Sequence, residues 1–566
     1  MKTKVFPRII KIFLSALAVF IAFWFILPPL NLRSPDFWTF LITSIIICLV
    51  INFISEIFLF FRSHTEKGRL VNLKFDLKGT AKPVKVFGIV IGCIVVLLIV
   101  GAAAGSQLFN ASRYNKLILP EDGDFIADVS EISQEQIPVV DRDTASRLGQ
   151  RKLGEMSDLV SQFEIMDIYT QINYKGRPVR VTPLIYGDVI KWFNNQSKGV
   201  PAYITVDMAT QETSLVRLKD GGIKYSTGEY FMRNVDRYLR FKYPSKVFDN
   251  ASFEIDDNGT PYWVVSTVKY RIGLFSGRDI GGAILLNAQT GESKYYELDE
   301  IPTWVDQVFD SDMVLNQLNY NGKYRSGFFN SIFGQKGVLQ TTDGYNYLAI
   351  NDDVYLYTGM TSVTSDESNV GFVLTNLRTK QTSYYAIPGA EEYSAMDSAE
   401  GQVQHLKYES TFPLLLNVSD RPTYFMSLKD GAGLVKMYAF VDVQQYQIVG
   451  TGSSVDSARQ DYISKLKDEK IEAEDIEEQT VTGVIERISE AVIDGNTNYF
   501  ILLENDENVY TVPVTLSHDF AVAEAGDSVE LTLKAAKEEK TVKKAKLIKN
   551  TAPEKESNMI TGDLEK

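Results

Sequence analysis

The chain has 566 residues, 58 Lys/Arg against 72 Asp/Glu, and two cysteines. That length is too great for one hydrophobic core and implies about three or four units. Residues 1–106 hold 12 Lys/Arg and 4 Asp/Glu, a net of +8, so the −14 of the whole chain leaves −22 for residues 107–566. Such an acidic surface argues against nucleic acid or anionic lipid as a partner. Both cysteines, Cys48 and Cys93, lie in apolar runs, so the acidic part has no disulfide. This fits a bacterial envelope better than an animal cell surface.

Three apolar runs open the chain, at residues 12–30, 40–60 and 86–106. Each is close to the roughly 20 residues a helix needs to cross a bilayer core, and none has the polar face of a soluble helix. The first begins with basic residues but is long, contains Trp24 and Pro28-Pro29, and lacks a small-x-small cleavage pattern. It reads as a retained anchor. Lys2, Lys4, Arg8 and Lys11 lie at the N-terminus. Segment 61–85 holds Arg62, Lys67, Arg69, Lys74, Lys78, Lys82 and Lys85 against Glu66 and Asp76, whereas the other short loop has Arg33 offset by Asp36. The positive-inside rule therefore places the N-terminus and segment 61–85 in the cytoplasm, and three crossings place everything after Ser106 outside.

Asn52 and Glu56 share a helical face in the second run. Glu56 lies within about two turns of Arg62, which reads as interfacial snorkelling or a helix contact rather than a proton path. The third run carries Gly88-x-x-x-Gly92 and Gly101-x-x-x-Gly105. Such small-residue faces let another helix approach closely, from this chain or from a second copy.

Segment 107–140 is polar and leads the chain off the membrane; an internal repeat follows. Asp207-Met208-Ala209-Thr210-Gln211-Glu212-Thr213 aligns with Asn287-Ala288-Gln289-Thr290-Gly291-Glu292-Ser293 and with Asn376-Leu377-Arg378-Thr379-Lys380-Gln381-Thr382. The frame is Asp/Asn-x-x-Thr-x-Glu/Gln-Ser/Thr, with β-rich runs on either side. In this strand–turn–strand, Asp207, Asn287 or Asn376 caps the turn and Thr210, Thr290 or Thr379 supports it. A fourth copy, from Asp442, keeps the strands and loses the Thr. Helical patterns at 145–160, 230–241, 304–318, 394–406 and 454–470 fall between the hairpins, giving an α+β module repeated over 141–300 and 301–470.

The motif Asn287-Ala288-Gln289-Thr290-Gly291-Glu292 resembles the PepSY-type module, a small helix-plus-antiparallel-sheet unit whose last hairpin carries Asp or Asn, two residues, then Thr-Gly. The resemblance covers about residues 141–452 and implies a domain that binds or restrains partners and has no catalytic residues of its own. An acidic linker, 471–479, precedes five short strands over 480–550, whose order and length match an OB-like small β-barrel. Its basic residues crowd at the end with few aromatics, which favours a protein contact over nucleic acid. The tail 551–566 reads as disordered.

Chemistry-bearing motifs are sparse. His64, His405 and His518 are far apart, and there is no HExxH, CxxC, phosphate loop or G-x-S-x-G. Ser266 and Lys269 have serine–lysine spacing but sit in a strand pattern that turns them to opposite faces; Ser464 and Lys467 lack companion motifs. The acidic clusters 256–259, 351–353 and 365–369 read as turns rather than Ca²⁺ loops. No catalytic, cofactor-binding or metal-binding residue is assigned. The fold expected is a three-helix membrane anchor carrying an α+β extracytoplasmic part of repeated modules and a terminal β-barrel. The function expected is a non-enzymatic envelope binding or scaffold protein, possible regulator of an envelope peptidase or cell-wall complex, able to form homo-oligomers through the third membrane helix. The alternative is a cell-wall hydrolase using dispersed carboxylates; a transporter subunit has the weakest case, because the spans hold one acidic pathway candidate, Glu56.

Overall fold

The computed structural model describes residues 5–65, 78–131, 136–219, 221–362, 368–468, 478–493, 496–506, 508–514, 516–535 and 540–548. Much of the basic loop 61–85, the acidic linker up to residue 477, Asp366, Glu367 and the tail 551–566 lie outside the described residues.

The apolar runs form helices α1 (Val5–Ile26), α2 (Pro35–Thr65) and α3 (Lys78–Ala104). They contain spans of 18, 21 and 21 residues with mean hydropathy 2.5, 2.4 and 3.0, long and apolar enough to cross a membrane. α1 packs on α2 and α2 on α3. A short helix, α4 (Gln107–Asn115), follows α3 directly, and the Tyr114 hydroxyl returns to the Gly105 carbonyl at 2.9 Å.

Beyond α4 the chain is rich in antiparallel sheet. Four meanders follow one another, each with four strands paired in chain order. The first joins Thr170–Tyr174, Arg177–Tyr186, Ala202–Asp207 and Thr213–Arg217; the second joins Val247–Ile255, Pro261–Ile272, Ser276–Asn287 and Ser293–Tyr296. The third joins Asn346–Ile350, Asp353–Ser362, Ser368–Asn376 and Thr382–Tyr385; the fourth joins Leu414–Val418, Arg421–Lys429, Val435–Asp442 and Val449–Gly452. Short extra strands widen three of the sheets, among them Glu121–Asp122, which runs parallel to Thr382–Tyr385. Helices Arg142–Gly154, Val235–Lys242, Ser311–Lys323 and Glu392–Gln402 precede the four meanders in turn, and Val455–Asp468 follows the last. Side chains such as Trp263, Phe253, Phe372 and Phe440 are fully buried, as the alternation of each strand requires.

One expected helix starts late. Residues 304–318 have helical apolar spacing at Trp304, Val305, Val308 and Phe309, yet the helix begins only at Ser311. The reason is competition for amides. Glu254 accepts the N–H groups of Asp306 (2.8 Å) and Gln307 (3.1 Å), and the Leu377 carbonyl accepts those of Val308 (3.1 Å) and Phe309 (2.8 Å). A helix from 304 would leave the amides of Asp306 and Gln307 without an internal carbonyl in any case, so it is the loss of the Val308 and Phe309 amides to Leu377 that withdraws its first hydrogen bonds.

The chain divides into two compact units, Met1–Lys470 and Ile471–Lys566. In the second, five strands pair in the order Val509–Pro513, Asn496–Leu503, Glu478–Ile493, Ser528–Ala535, Lys540–Ile548. The long first strand serves both halves, with a register shift between Ile485 and Arg487. The sheet curls over a core of Ile485, Ile501, Tyr510, Phe520 and Leu531. Among the described residues its edge strands form no ladder with each other, so the sheet is not the closed barrel expected from the sequence.

Gly450 gives a check on this packing. A Cβ there would fall on the backbone of Tyr462 in helix Val455–Asp468, whereas one at Gly431 would meet open space. Gly450→Ala is expected to lower stability by about 1–3 kcal/mol, and Gly431→Ala to stay within about 0.5 kcal/mol, measured by thermal unfolding of the full chain in detergent.

Candidate functional site

The six turn residues singled out in the sequence occupy one recurring geometry. Asp207 Oδ1 accepts the amides of Ala209 and Thr210 at 3.0 and 2.8 Å. Asn287 Oδ1 accepts those of Gln289 and Thr290 at 3.0 and 2.9 Å, and Asn376 Oδ1 those of Arg378 and Thr379, both at 2.9 Å. The threonine hydroxyls of Thr210, Thr290 and Thr379 then accept the amide two residues on. The fifth position of each turn is left-handed: Gln211 (φ 65), Gly291 (φ 78) and Lys380 (φ 65). Gly is the residue that adopts this backbone without strain, and at 291 a side chain would also strike the Tyr225 ring. In the fourth turn Asp442 makes the same cap to Gln444 and Gln445; lacking the threonine, it is held by Arg421 at 2.8 Å and the Tyr462 hydroxyl at 3.0 Å.

The residue after each capping side chain is buried and uses both backbone groups. The carbonyls of Met208, Ala288, Leu377 and Val443 accept the amides of Val139, Tyr225, Phe309 and Ala390, all at 2.8–2.9 Å. Each donor lies on the segment leading into that sheet's own helix. The turns thus tie helix to sheet, and these residues are structural.

The glycine faces separate. A Cβ at Gly88 or Gly92 would meet nothing within 4 Å. At Gly101 it would meet the Phe275 ring at 2.6 Å and Leu274 at 3.5 Å, and at Gly105 the Ser276 side chain. The second face therefore receives the tip of a β-hairpin in the second sheet, and not another membrane helix.

Where the first three sheets meet lies a polar cleft of about 560 Å³, lined by Tyr169, Gln171, Arg180, Asn250, Gln307 and Tyr347 among others. Arg180, on strand Arg177–Tyr186, is 7 % exposed. Its guanidinium donates to the Tyr169 carbonyl (3.1 Å) and Gln171 Oε1 (3.3 Å), and its Nε has no partner. Arg180 also lines a neighbouring 200 Å³ cavity against the fourth sheet. Among the described residues it forms no ion pair, and burial pulls its pKa down to about 10. A buried guanidinium with a free N–H is costly unless a negative group completes it.

Behind the cleft wall sit two fully buried carboxyls. Glu254 takes the amides of Asp306 and Gln307 and the Ser252 hydroxyl (2.7 Å). Asp306 Oδ2 takes the amide of Asn173 at 2.7 Å, and its Oδ1 has no partner. The chain Glu254–Asp306–Asn173 links the second sheet, the approach to the third helix and the first sheet. Burial raises both carboxyl pKa values, and the Glu254 charge raises Asp306 further. Neither carboxyl lines the cleft; the carboxyl groups that do are Asp167, Asp249 and Asp310.

The remaining sequence candidates are dispersed. His405, expected on a helix over 394–406, sits exposed on a short 3-10 turn, Gln404–Leu406, past the end of the observed helix Glu392–Gln402. Ser266 is buried and donates to the Val308 carbonyl at 2.6 Å, while Lys269 is exposed on the opposite face. Asp256 caps a hairpin turn through the amides of Asn258 and Thr260. Among the described residues no group of three or more His, Cys, Asp or Glu is placed to hold a metal ion. Arg180, Glu254 and Asp306 were not singled out in the sequence. The only local signal is a charged residue inside an apolar strand, as in Val179-Arg180-Val181 and Phe253-Glu254-Ile255.

No protein-family model, no curated protein and no solved structure matches the chain.

Two predictions follow from this geometry. A carboxyl whose folded pKa is raised stabilises the fold below the unfolded value near 4 and loses that contribution as pH rises through the folded value. Asp306→Asn, which keeps the shape and cannot titrate, should therefore match the wild type at pH 4 and gain on it steadily toward pH 8 in denaturant melts of the full chain. At the left-handed positions, Gln211→Gly should change stability by less than about 1 kcal/mol, since the relief of backbone strain is set against the loss of a long hydrogen bond from Gln211 Nε2 to the Tyr438 hydroxyl at 3.4 Å. Lys380→Gly should instead destabilise, because Lys380 Nζ reaches Asp279 Oδ1 at 2.6 Å and the Leu117 carbonyl at 2.8 Å.

Proposed function

We propose that the chain is a membrane-anchored, extracytoplasmic binding or scaffold protein of the bacterial envelope. Its working part is a series of four PepSY-like helix-and-sheet modules, followed by an OB-like unit that contacts protein. The observation that carries the reading is Arg180, a buried cation with an unfilled N–H at a cleft where several modules converge. Such a site holds a carboxylate or phosphate group of a partner, by charge-assisted hydrogen bonds. The four turns of one geometry support a repeat of one unit, and the strand order of the terminal sheet is that of an OB fold with one ladder unmade. Restraint of an envelope peptidase or cell-wall complex is the role that fits a binding cleft on a fixed anchor.

A photo-crosslinking side chain at Asn250, on the cleft rim, tests this in intact cells. The expected result is a discrete adduct that disappears in Arg180→Gln protein melting at the wild-type temperature. No adduct, or an adduct indifferent to Arg180, would remove the cleft from the function. Orientation is checked separately: Asp257→Cys should react with a membrane-impermeant maleimide without permeabilisation of the cells.

A further inference from the structure

The acidic part of the chain has a basic, apolar face, and it lies at the membrane. Helix α1 ends against the second meander's helix: Phe241 packs edge-on to Phe23 at 5.6 Å, Arg237 lies over the Trp24 ring at 4.8 Å, and Arg240 donates to the Leu27 carbonyl at 2.9 Å. Helix α3 ends against the hairpin tip of the same sheet, at Gly101 and Gly105. The C-terminal ends of α1 and α3 therefore emerge at one bilayer face, and the second meander rests there.

Two sets of apolar side chains extend from these fixed points. Beside the α1 end, Trp192 meets Tyr230 edge-on and Phe231 at a tilt, and around it Ile190 (70 % exposed), Phe193 (71 %), Val189, Phe231 and Met232 project outward. Beside the α3 end, a row of rings runs Tyr114, Tyr320, Tyr324, Phe328, with successive centroids 4.9, 6.2 and 6.3 Å apart. It leads to Phe329 (67 %), Ile332 and Phe333 (80 %), with Phe109 exposed nearby on α4. Soluble surfaces do not gather large apolar side chains on short helices in this way without something covering them.

Charge names the cover. The segments that carry or adjoin these side chains, 107–116, 188–196, 230–246 and 321–336, contain eleven Lys/Arg and two Asp/Glu, within a region whose net charge is −22. Basic residues rimming exposed aromatics at the exit of membrane helices match an anionic headgroup layer over an acyl edge. Apolar face, basic rim and contiguity with the anchor point to one occupant.

We propose that Ile190, Phe193, Phe231, Phe329 and Phe333 lie in the headgroup–acyl boundary of the bilayer face from which α1 and α3 emerge, so that the second meander and its neighbours are held against an anionic membrane surface. The acidic average of the exterior conceals this local reversal.

The test uses the full chain in phosphatidylglycerol–phosphatidylcholine nanodiscs, in a Cys48→Ser, Cys93→Ser background. Single spin labels are placed at Phe193→Cys, Phe333→Cys and, as a solvent control, Asp257→Cys. All three positions are exposed, so the substitutions spare the core. Collisions with lipid-soluble oxygen should exceed those with an aqueous nickel chelate at 193 and 333, placing both about 5–10 Å inside the boundary, with the reverse at 257. Nickel access equal to or above oxygen access at 193 and 333 would overturn the proposal. So would shielding from both reagents that appears only in discs holding two copies, which would assign the face to a copy–copy contact.

Discussion

The Glu254 carboxylate holds the arrangement together at its centre. A helix starting at 304 would send the amides of Val308 and Phe309 to carbonyls four residues back, while those of Asp306 and Gln307 would need an acceptor from outside it. Glu254 takes two of those amides, at 306 and 307, and the Leu377 carbonyl takes the next two. The segment is left irregular, with a turn at 303–304 and a bend at 308–309, and its Asp306 is delivered to the Asn173 amide of the first sheet. One carboxyl group in the second sheet thus fixes the approach to the third helix and, through it, the edge of the first sheet. Such a buried acceptor is worth having only while its donors stay in place, since unpaired it would bear the full cost of desolvation.

The turns show how one local geometry is used for different ends. In all four meanders a capping Asp or Asn gathers two amides, and the next residue's carbonyl receives the strap before the helix. The left-handed position then diverges. Gly291 makes room for Tyr225; Lys380 accepts the strain and spans to Asp279 of the second sheet, passing beside the Phe309 ring. In the fourth turn an ion pair with Arg421 stands where the threonine would be. Local strain of about a kilocalorie or so is offset where the side chain gains a buried partner.

The membrane end reverses two averages. The net charge of residues 107–566 would repel an anionic surface, yet segments beside the ends of α1 and α3 are basic. The glycines of α3 read as a helix-packing face, yet Gly101 and Gly105 receive a β-hairpin. Small residues permit close approach by any backbone or ring, and the sequence of one helix does not say which element arrives. The consequence is local: α3, α4 and the second sheet share contacts, so these helices position that sheet rather than merely tether it.

What the sequence alone determined is what depends on near neighbours. Three helices follow from apolar runs too long and too uniform for a soluble core, and the turns follow from Asp207, Asn287 and Asn376 with their threonines, because an Asx cap is made within three residues. The five terminal strands follow from alternation in the same way, although whether the edges of the sheet would join was not in that alternation. The tertiary structure decided everything that needs a partner far along the chain. Val305, Val308 and Phe309 have helical spacing, yet the Leu377 carbonyl, about seventy residues further on, takes the two amides that would begin the helix. Arg180 and Asp306 look like ordinary strand and helix charges until burial removes their water. Ile190, Phe193 and Phe333 look like core residues until the fold leaves them outside, beside the exits of α1 and α3.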